Sequence, residues 1–276
     1  MYHHYTSKPP PPQGGGREVT MLYIVCYSGG HSSALAAIET VRRYGKENVI
    51  LLNHDICKKA EHADVKRFKQ EVANYLGVSI TYANMPGYES KDQFDCMVAG
   101  GGNSFGLIHC TRMLKTEPFN AWLNQHYPAT KGAVRDDITV VYGFDPGENT
   151  RIDRRIKVMN AMGYRTEYPL CSDKRSIYST EEIGIKRPVS YEIFNHANCV
   201  GCLKAGKQHW YVVYCLYPDV FSRAKQAEAK TGFSILKTHF LKDLEAEFAE
   251  LKAKGLPATE KIKPQTFWAM ARKMRR

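Results

Sequence analysis

A pair of cysteines two residues apart is the strongest sign of chemistry in the sequence. They are Cys199 and Cys202, separated by Val200 and Gly201. The two-residue gap lets both sulfurs face one metal centre, and Gly201 permits the turn between them. Zinc, an iron–sulfur cluster and a redox dithiol all use this spacing. The pair predicts a thiol site and leaves its cofactor open.

A Gly- and Ser-rich loop that follows an apolar run is the second chemically useful feature. Its residues are Ser28-Gly29-Gly30-His31-Ser32-Ser33. Glycines let the backbone approach a phosphate closely, and the N–H groups at a helix start favour an anion. The hydroxyl groups of Ser28, Ser32 and Ser33 can add hydrogen bonds. The loop predicts a phosphate site, with an ordinary strand-to-helix turn as the alternative, because Gly and Ser are common in turns.

Alternating short strands and helices must position these residues. Apolar, β-branched runs predict strands at MLYIVC, NVILLN, VSITY, ITVVY and, more briefly, TEYPL. Helices are predicted between them, for example at HSSALAAIETVRRY and AEHADVKRFKQEVANYL, each followed by Gly. This alternation predicts a Rossmann-like α/β fold with a parallel sheet flanked by helices. A Gly-rich stretch is expected at residues 100–106 and a helix over 107–125. From Cys171 onward we expect loops and helices, the clearest helix being residues 234–255.

The chain divides into three parts by composition. Residues 1–20 combine four consecutive prolines with a Gly triplet, which predicts a flexible leader. Residues 21–225 carry the α/β domain with the cysteine site, and residues 226–276 form a basic helical extension. We find no apolar run of about eighteen residues and no signal-peptide core, so we expect a cytoplasmic protein without a membrane partner. In that setting the eight cysteines favour metal or catalytic thiols over disulfides.

Positive charge is concentrated near the C-terminus. The formal net charge is +11, and the last 16 residues hold six Lys and Arg but no Asp or Glu. Such a block attracts polyanions through counterion release and field steering, so tRNA or DNA is a predicted partner. A solvated basic tail without a partner is the alternative, since a charge run costs little on a surface.

The Gly- and Ser-rich loop resembles that of the PP-loop ATP pyrophosphatases, the adenine nucleotide alpha hydrolase superfamily. The residues that match its pattern Ser-Gly-Gly-x-Asp-Ser are Ser28, Gly29, Gly30 and Ser33. Ser32 stands at the acidic position. The resemblance implies that this loop binds ATP or a related adenine nucleotide, and that Asp55, after the second strand, lies on the adenosine side. A helix-capping or turn Asp is the alternative for Asp55.

The cysteines resemble those of the sulfonucleotide reductases, which act on phosphoadenosine or adenosine phosphosulfate. Cluster-bearing members have Cys-Cys upstream of Cys-x-x-Cys; here Cys110 matches the second of that pair and His109 replaces the first. The resemblance implies a 4Fe–4S cluster on Cys110, Cys199 and Cys202, with zinc as the alternative. The fourth iron is left for His109, another residue or an exogenous ligand. Three-cysteine clusters with an open iron are familiar in sulfur-transfer members of the superfamily.

The remaining five cysteines differ in their sequence surroundings. Cys26 and Cys215 lie in apolar runs, where thiols are usually buried and inert. Cys57 follows the second strand closely enough to face a nucleotide, whereas Cys96 and Cys171 lie near predicted loops. Cys171 is the first choice among them for a substitute fourth ligand.

A third match covers residues 143–151, GFDPGENTR. It resembles the element Gly-x-Arg-x-x-Glu-Ser-x-Arg of the sulfonucleotide reductases and retains Gly143, Glu148 and Arg151. Asp145 replaces the first Arg, and an Asn replaces Ser. The resemblance implies that Glu148 and Arg151 belong to the nucleotide site, where Arg is suited to bidentate binding of a phosphate. A solvent-facing basic helix start is the alternative.

These motifs lead to three hypotheses of function. The first is a reductase-like PP-loop enzyme that binds an adenine nucleotide and uses an iron–sulfur site in sulfur transfer or in nucleotide-dependent activation of an acceptor. The second is a non-catalytic nucleic-acid-binding or regulatory protein with a structural metal. The third is a true sulfonucleotide reductase. It needs a nonstandard thiol, because those enzymes attack with a cysteine near the C-terminus and no cysteine follows Cys215. The sequence assigns no catalytic residue.

Overall fold

Five parallel strands form the centre of the protein. The computed structural model describes residues 21–102 and 109–275. Its strands are β1 Leu22–Cys26, β2 Val49–Asn53, β3 Ile80–Tyr82, β4 Ile138–Val141 and β5 Arg165–Glu167. They pair in the order β3-β2-β1-β4-β5, with Tyr23 opposite Val49 and Ile24 opposite Val140. The expected α/β fold with a parallel sheet flanked by helices is confirmed.

Helices cover both faces of this sheet. The helices of this region are α1 His31–Tyr44, α2 Ala63–Leu76, α3 Gln93–Ala99, α4 His109–Thr111, α5 Glu117–His126 and α6 Asn149–Ala161, of which α1, α2, α5 and α6 lie on the sheet. Helices α1 and α2 pack on one face, around Val25 and Leu51, whereas α5 and α6 pack on the other, around Ile24 and Val140. Because both faces are covered, the central strands are apolar throughout rather than alternating.

Several predicted helix boundaries follow from local chemistry. Gly77 adopts a left-handed φ of 62°, and its N–H donates to the carbonyl groups of Ala73 and Asn74 in the last turn of α2. The helix therefore ends there. The helix predicted over 107–125 includes α4, a π-helical turn at Arg112–Thr116 and α5. Its first residues, like the leader at 1–20 and part of the Gly-rich stretch, lie outside the described residues.

The C-terminal region builds a second core beside the sheet. It contains α7 Lys207–Leu216, α8 Pro218–Thr231, α9 Leu241–Ala253 and α10 Pro264–Arg275. Trp210, Phe248 and Phe267 are fully buried in this core, together with Met97 of α3. The predicted division between residues 225 and 226 therefore falls inside α8, and the segments on either side of it share one core.

The helix predicted over residues 234–255 begins later than expected. It starts at Leu241, because the buried carboxylate of Glu228 accepts the N–H of Ile235 at 2.8 Å and that of Leu241 at 2.7 Å. These two bonds hold the preceding residues in a turn against α8. A contact between distant residues thus overrides the local helical pattern.

No helix in the described ranges is long and apolar enough to cross a membrane.

Candidate functional site

The loops after β1 and β4 meet at the carboxyl edge of the sheet. Ser32 Oγ donates to Asp145 Oδ2 at 3.1 Å, and a Cβ added to Gly143 would lie 2.5 Å from the Ser32 carbonyl oxygen. From β1 the chain continues to β2 and β3 on one side of the sheet, whereas β4 and β5 lie on the other side of β1. The order of the strands therefore switches direction at β1. Ligands of open α/β sheets bind in the crevice at this switch in strand order. The two sequence matches, around Ser28 and Gly143, are therefore brought to one place.

The first of these loops has the geometry of an anion site. Gly29 adopts a φ of +83°, which favours glycine, and α1 begins at His31. Ser33 Oγ donates to the Gly30 carbonyl at 2.8 Å and accepts from Ser28 Oγ at 3.2 Å. The loop thus presents Ser28 beside the N-terminus of a 14-residue helix, where the helix dipole attracts negative charge.

Residues far along the chain close over the same loop. The His31 backbone N–H donates to the Tyr191 hydroxyl at 3.0 Å, and His31 Nε2 accepts from the Thr180 N–H at 3.3 Å. Desolvation and the positive charge of Arg187 lower the pKa of His31. The imidazole is therefore neutral near pH 7. Tyr191 and Thr180 carry no recognisable motif, and we did not predict them from the sequence.

Asp55 lies at the carboxyl end of β2, one strand from the loop. Its backbone N–H and carbonyl both bond the Asn84 side chain, each at 2.9 Å, and its carboxylate contacts the Lys66 ammonium group. The position agrees with a residue at the edge of a nucleotide crevice. Its carboxylate already has a cationic partner.

Glu148 and Arg151 organise the loop after β4. Glu148 accepts the Asp145 N–H at 2.9 Å and pairs with Arg151 at 2.6 Å. Desolvation opposes ionisation of Glu148, but these two contacts outweigh it and lower its pKa. Arg151 is exposed, and its guanidinium lies 4.1 Å from the centre of the Phe144 ring. Glu148 therefore holds the loop, and Arg151 lies exposed at its surface, paired with Glu148 and stacked on Phe144.

Cysteines from four separate segments converge at a second site. Three half-buried cysteines, Cys57, Cys110 and Cys199, pack in one apolar cluster with the buried Cys96. Cys202 is close enough to contribute to the raised pKa of both Cys110 and Cys199. The three predicted ligands are thus brought together, along with two thiols that the sequence did not connect to them.

Three different elements hold the Cys199–Cys202 loop in place. The Val200 N–H donates to the Ala60 carbonyl at 3.0 Å, which joins the loop to the turn that carries Cys57. Gln93 of α3 donates to the Val200 carbonyl at 2.8 Å, and the Gly201 N–H donates to His209 Nε2 of α7 at 3.2 Å. Each bond spans residues that are distant in the sequence or on another element, so only the folded chain forms this loop.

Burial disfavours the thiolate form of these cysteines unless a cation lies nearby. Desolvation raises the pKa of Cys199 to about 12, although the charge of Lys115 opposes the shift. Desolvation and neighbouring Cys110 raise the pKa of Cys96 to about 12 as well. A metal cation reverses this balance and deprotonates a coordinating thiol. A cluster of buried thiols is therefore suited to a thiophilic metal.

The spacing of the sulfurs bears on the type of metal. Tetrahedral zinc with Zn–S bonds of about 2.3 Å brings its sulfurs to about 3.8 Å from one another. Within the described part of the chain, no three cysteine sulfurs lie within 4.8 Å of one another. Thiolates of a 4Fe–4S cluster bind different irons, so their sulfurs stand farther apart. The described cysteines therefore do not form a preformed mononuclear zinc site of three thiolates.

Two fourth-ligand candidates differ in their positions. His109 packs against Gly100, and its buried Nδ1 has no hydrogen-bond partner among the described residues. Cys171 is exposed and its thiol donates to the Phe144 carbonyl at 3.6 Å, beside the loop after β4. Its charged neighbours are Asp145, Glu148 and Arg175. The structure thus puts Cys171 beside the loop after β4 rather than among the clustered cysteines.

A buried ion pair connects the two sites. Lys69 is 1% exposed, and its Nζ donates to Glu61 Oε2 at 2.9 Å and to Asn53 Oδ1 at 3.2 Å. A Cβ added to Gly29 would lie 2.6 Å from Lys69 Cγ, so the lysine stem passes directly under the loop after β1. Glu61 follows Ala60, the residue bonded to the Cys199–Cys202 loop. Lys69 lies in an ordinary helical pattern, and no sequence signal marks it as buried.

The basic C-terminal helix is packed rather than free. Phe267 and Ala271 of α10 are buried, and Arg275 pairs with Glu250 at 3.2 Å. Other basic side chains of this segment are exposed, namely Lys261, Lys263, Arg272 and Lys273. A cationic surface therefore remains available on a helix that is anchored in the core.

No protein-family model matches the chain, and no curated protein matches it significantly. The assignment of a function therefore depends on the residues and contacts of these two sites.

Proposed function

We propose that the protein is a reductase-like PP-loop enzyme that binds ATP or a related adenine nucleotide and uses an iron–sulfur site in sulfur transfer to an activated acceptor. The observation that carries the proposal is the adjacency of two sites. A phosphate-binding type of loop and a group of five cysteines lie at the same edge of the sheet, joined through Lys69 and Glu61. Such adjacency is what nucleotide-dependent sulfur chemistry requires, because the activated acceptor must reach the sulfur.

The nucleotide would lie in the crevice between the loops after β1 and β4. Ser28, Gly29, Gly30, Ser32 and Ser33 would hold its phosphates, and Asp55 would lie on the adenosine side. In this chemistry an acceptor carbonyl-type oxygen attacks the α-phosphorus and pyrophosphate leaves. A sulfide-level donor, hydrosulfide, then attacks the acceptor carbon, AMP leaves with the former carbonyl oxygen, and loss of the sulfur proton gives the thiocarbonyl product without any change of oxidation state. The chain's own part is to bind and orient both reactants.

The Ser32–Asp145 contact supports nucleotide chemistry despite the missing acid at position 32. The related loops carry an Asp there, whereas this chain has a serine whose hydroxyl bonds the Asp145 carboxylate at 3.1 Å. A negative group therefore lies beside the loop, supplied by the neighbouring strand end. We propose that Asp145 takes the part that the acidic residue of the loop has in the related enzymes.

The cysteine site would hold a 4Fe–4S cluster through Cys110, Cys199 and Cys202. The fourth position would be filled by His109, whose Nδ1 is buried without a partner in the described ranges, or by one of the neighbouring thiols, Cys57 and Cys96. When bound, the cluster supplies iron that can hold or polarise sulfur. Zinc at the same thiols is the alternative.

The acceptor would be a base of tRNA or DNA. The exposed cations of α10 and the preceding segment supply a surface for a phosphate backbone, and the formal net charge of +11 steers a polyanion towards it. The proposed reaction is therefore modification of a nucleic acid in an aqueous compartment such as the cytoplasm.

The proposal is tested with anaerobically purified protein. We expect about four irons per chain with absorption near roughly 400 nm, as a 4Fe–4S cluster requires, and pyrophosphate release that depends on tRNA or DNA. Cys199→Ser is the control for the cluster, and heat-denatured protein is the control for background hydrolysis. Stoichiometric zinc without iron, or no turnover by cluster-loaded protein with intact nucleic acids, would contradict it.

A second candidate is a non-catalytic nucleic-acid-binding protein with a structural metal. The Asp55–Lys66 ion pair favours it, because a neutralised carboxylate is less available to a nucleotide. Tight binding of tRNA or DNA without any effect of ATP, and without pyrophosphate release, would support this candidate over the enzyme.

The third candidate, true sulfonucleotide reduction, needs an exposed thiol at the nucleotide crevice. Cys171 is placed there, but desolvation and the carboxylates of Asp145 and Glu148 raise its pKa and disfavour the thiolate nucleophile. Release of sulfite from phosphoadenosine phosphosulfate or adenosine phosphosulfate that is lost in Cys171→Ser would establish it.

A further inference from the structure

Two imidazoles and one carboxylate lie against the Cys199–Cys202 loop. They belong to His196, His209 and Glu260, and one potential ligand atom from each lies within 4.8 Å of the others. His209 is buried, at the start of α7, and Glu260 lies in the segment that leads into α10. No step of the proposed reaction uses these three residues.

The hydrogen bonds of His209 determine which of its nitrogens carries a proton. Its Nε2 accepts the Gly201 N–H at 3.2 Å, so this nitrogen must present a lone pair. Its Nδ1 lies 2.7 Å from Glu260 Oε1, and a contact with a carboxylate needs a donor. His209 therefore carries its proton on Nδ1 and links the backbone of the cysteine loop to Glu260.

His196 repeats the same arrangement on the other end of the loop. Its Nδ1 accepts the Asn198 N–H at 3.3 Å, immediately before Cys199, and its Nε2 lies 3.5 Å from Glu260 Oε2. Each imidazole thus accepts one N–H from the cysteine loop and lies beside a different oxygen of one carboxylate, at hydrogen-bond distance for His209 and in a looser contact for His196.

Glu260 is itself held in position by the backbone. Its N–H donates to the Ile193 carbonyl at 2.8 Å, and its carbonyl accepts from Asn195 Nδ2 at 2.8 Å. The Asn195 N–H also donates to Glu260 Oε2 at 3.5 Å. Glu260 therefore connects the C-terminal segment to the loop of Cys199 and Cys202.

A divalent metal at these three residues is the competing interpretation, and the hydrogen bonds disfavour it. A metal would take the lone pairs of His209 Nδ1 and His196 Nε2, which moves both protons to the opposite nitrogens. Those protons would then face the N–H groups of Gly201 and Asn198. Zinc with ligand bonds of about 2.0–2.2 Å also separates its ligand atoms by about 3.4 Å, more than the 2.7 Å observed between His209 and Glu260.

We propose that His196, His209 and Glu260 form a brace that positions the Cys199–Cys202 loop, with Glu260 as the shared acceptor. The brace acts on the backbone at Asn198, just before Cys199, and at Gly201, between the two cysteines, so it restrains the loop whether or not a metal is bound. This inference goes beyond the proposed function and does not depend on it. The three residues are positioning residues, since none of them contacts a cysteine sulfur through any hydrogen bond in the described structure.

The test measures how fast the loop cysteines react with iodoacetamide in the reduced, metal-free full-length chain. Modification of Cys199 and Cys202 is followed by mass spectrometry, with Cys26 as an internal reference in the sheet. We expect Glu260→Gln and His209→Leu to accelerate alkylation of Cys199 by about tenfold, because charge-assisted hydrogen bonds that resist local opening are lost. Cys26 should be unaffected.

Two controls separate the brace from general destabilisation. Glu250→Gln removes a carboxylate that pairs with Lys254 and Arg275 near the same C-terminal helix but does not contact the loop, and it should leave Cys199 protected. His209→Gln can still accept one N–H and donate another, so it should restore protection that His209→Leu loses. If Glu260→Gln fails to fold, as judged by circular dichroism, the comparison of His209→Leu with His209→Gln tests the brace in its place.

Two results would overturn the proposal. The first is equal protection of Cys199 in wild-type, His209→Leu and His209→Gln chains. The second is stoichiometric Zn²⁺ binding to chains whose cysteines are already alkylated, if it disappears in Glu260→Gln, because the triad would then be a metal site. Failure of the proposed function, such as absence of iron or of pyrophosphate release, leaves both alkylation readouts unchanged and is therefore distinguishable.

Discussion

The ammonium group of Lys69 lies 2.9 Å from the Glu61 carboxylate, beneath Gly29 of the loop after β1. Both side chains are buried, at 1% and 7% exposure. The aliphatic stem of Lys69 packs under the loop after β1 and supports it. The negative charge of Glu61 contributes to the raised pKa of Cys199. One ion pair therefore lies between the proposed nucleotide crevice and the cysteines.

Loss of the Lys69 charge should destabilise the protein strongly. Lys69→Met leaves Glu61 buried without its main partner, and removal of one member of a buried pair costs about 3–5 kcal/mol. Urea unfolding followed by circular dichroism measures the change. Lys66→Ala is the matched control, because that lysine is partly exposed and its pairs should contribute about 1 kcal/mol or less. Equal losses for the two variants would contradict the assigned roles.

Metal binding should depend on the loop cysteines and not on the core thiol of the sheet. Cys199→Ser removes one of the three proposed thiolate ligands, so we expect loss of most of the bound metal. Cys26→Ser should retain it, because Cys26 lies in β1 beside Tyr142 and away from the clustered cysteines. Iron and zinc per chain, measured by plasma mass spectrometry on anaerobic samples, give the answer. Equal metal content in the two variants would refute this ranking.

Replacement of Cys171 should leave the metal site intact. Its thiol lies at the loop after β4, so Cys171→Ser is expected to keep the full iron content and an unchanged absorption spectrum. Among His109→Ala, Cys57→Ser and Cys96→Ser, the variant that removes the fourth protein ligand should fall from about four irons to about three, with a paramagnetic three-iron signal. A drop in iron on Cys171→Ser would be incompatible with the position of that thiol.

The Ser32–Asp145 contact can be tested by exchange of charge. Ser32→Asp places two carboxylates side by side at the mouth of the crevice, so affinity for Mg-ATP should fall by at least about tenfold. Addition of Asp145→Arg should restore binding, because an ion pair replaces the repulsion. Calorimetric titration measures the affinity, and Ser90→Asp, which adds a charge at an exposed position, is the control. Additive losses in the double variant would argue against contact between the loops.

The basic C-terminal surface should be tested by charge removal rather than by truncation. Deletion of residues 261–276 removes the buried Phe267 and should lower the melting temperature, so its effect on binding would be ambiguous. A triple variant that replaces Lys263, Arg272 and Lys273 by Gln keeps the core. The slope of log Kd against log salt concentration for duplex DNA binding should flatten by about 0.9 for each phosphate that the protein no longer neutralises.

The matched control for this surface removes the same number of charges elsewhere. It replaces the exposed residues Lys46, Lys91 and Lys131 by Gln. If both triple variants change the salt dependence equally, binding reflects net charge alone, and α10 is not the contact surface.

The local pattern of the chain was enough to predict the sheet and the loop after β1. Apolar β-branched runs predicted strands at β1 to β5, and Gly77 predicted the end of α2, because buried parallel strands and left-handed helix ends each demand particular residues. The Ser28–Ser33 loop could also be predicted from the sequence. Its position after β1 and the positive φ that Gly29 adopts both depend on residues that are neighbours in the chain. The match at Gly143 could likewise be read directly from neighbouring residues.

Tertiary structure alone decided which side chains meet. Cys57 and Cys96 join the predicted ligands through contacts between separate segments, Lys69 becomes buried because Gly29 and Glu61 lie over it, and the start of α9 moves to Leu241 because Glu228 binds the turn before it. None of these outcomes leaves a trace in hydrophobic periodicity, which reports whether a residue faces the core but not which residue it faces. The sequence by itself therefore determined the elements and the candidate motifs. Packing between elements distant in the chain determined the composition of the cysteine site, its link to the nucleotide crevice and the His–Glu brace behind it.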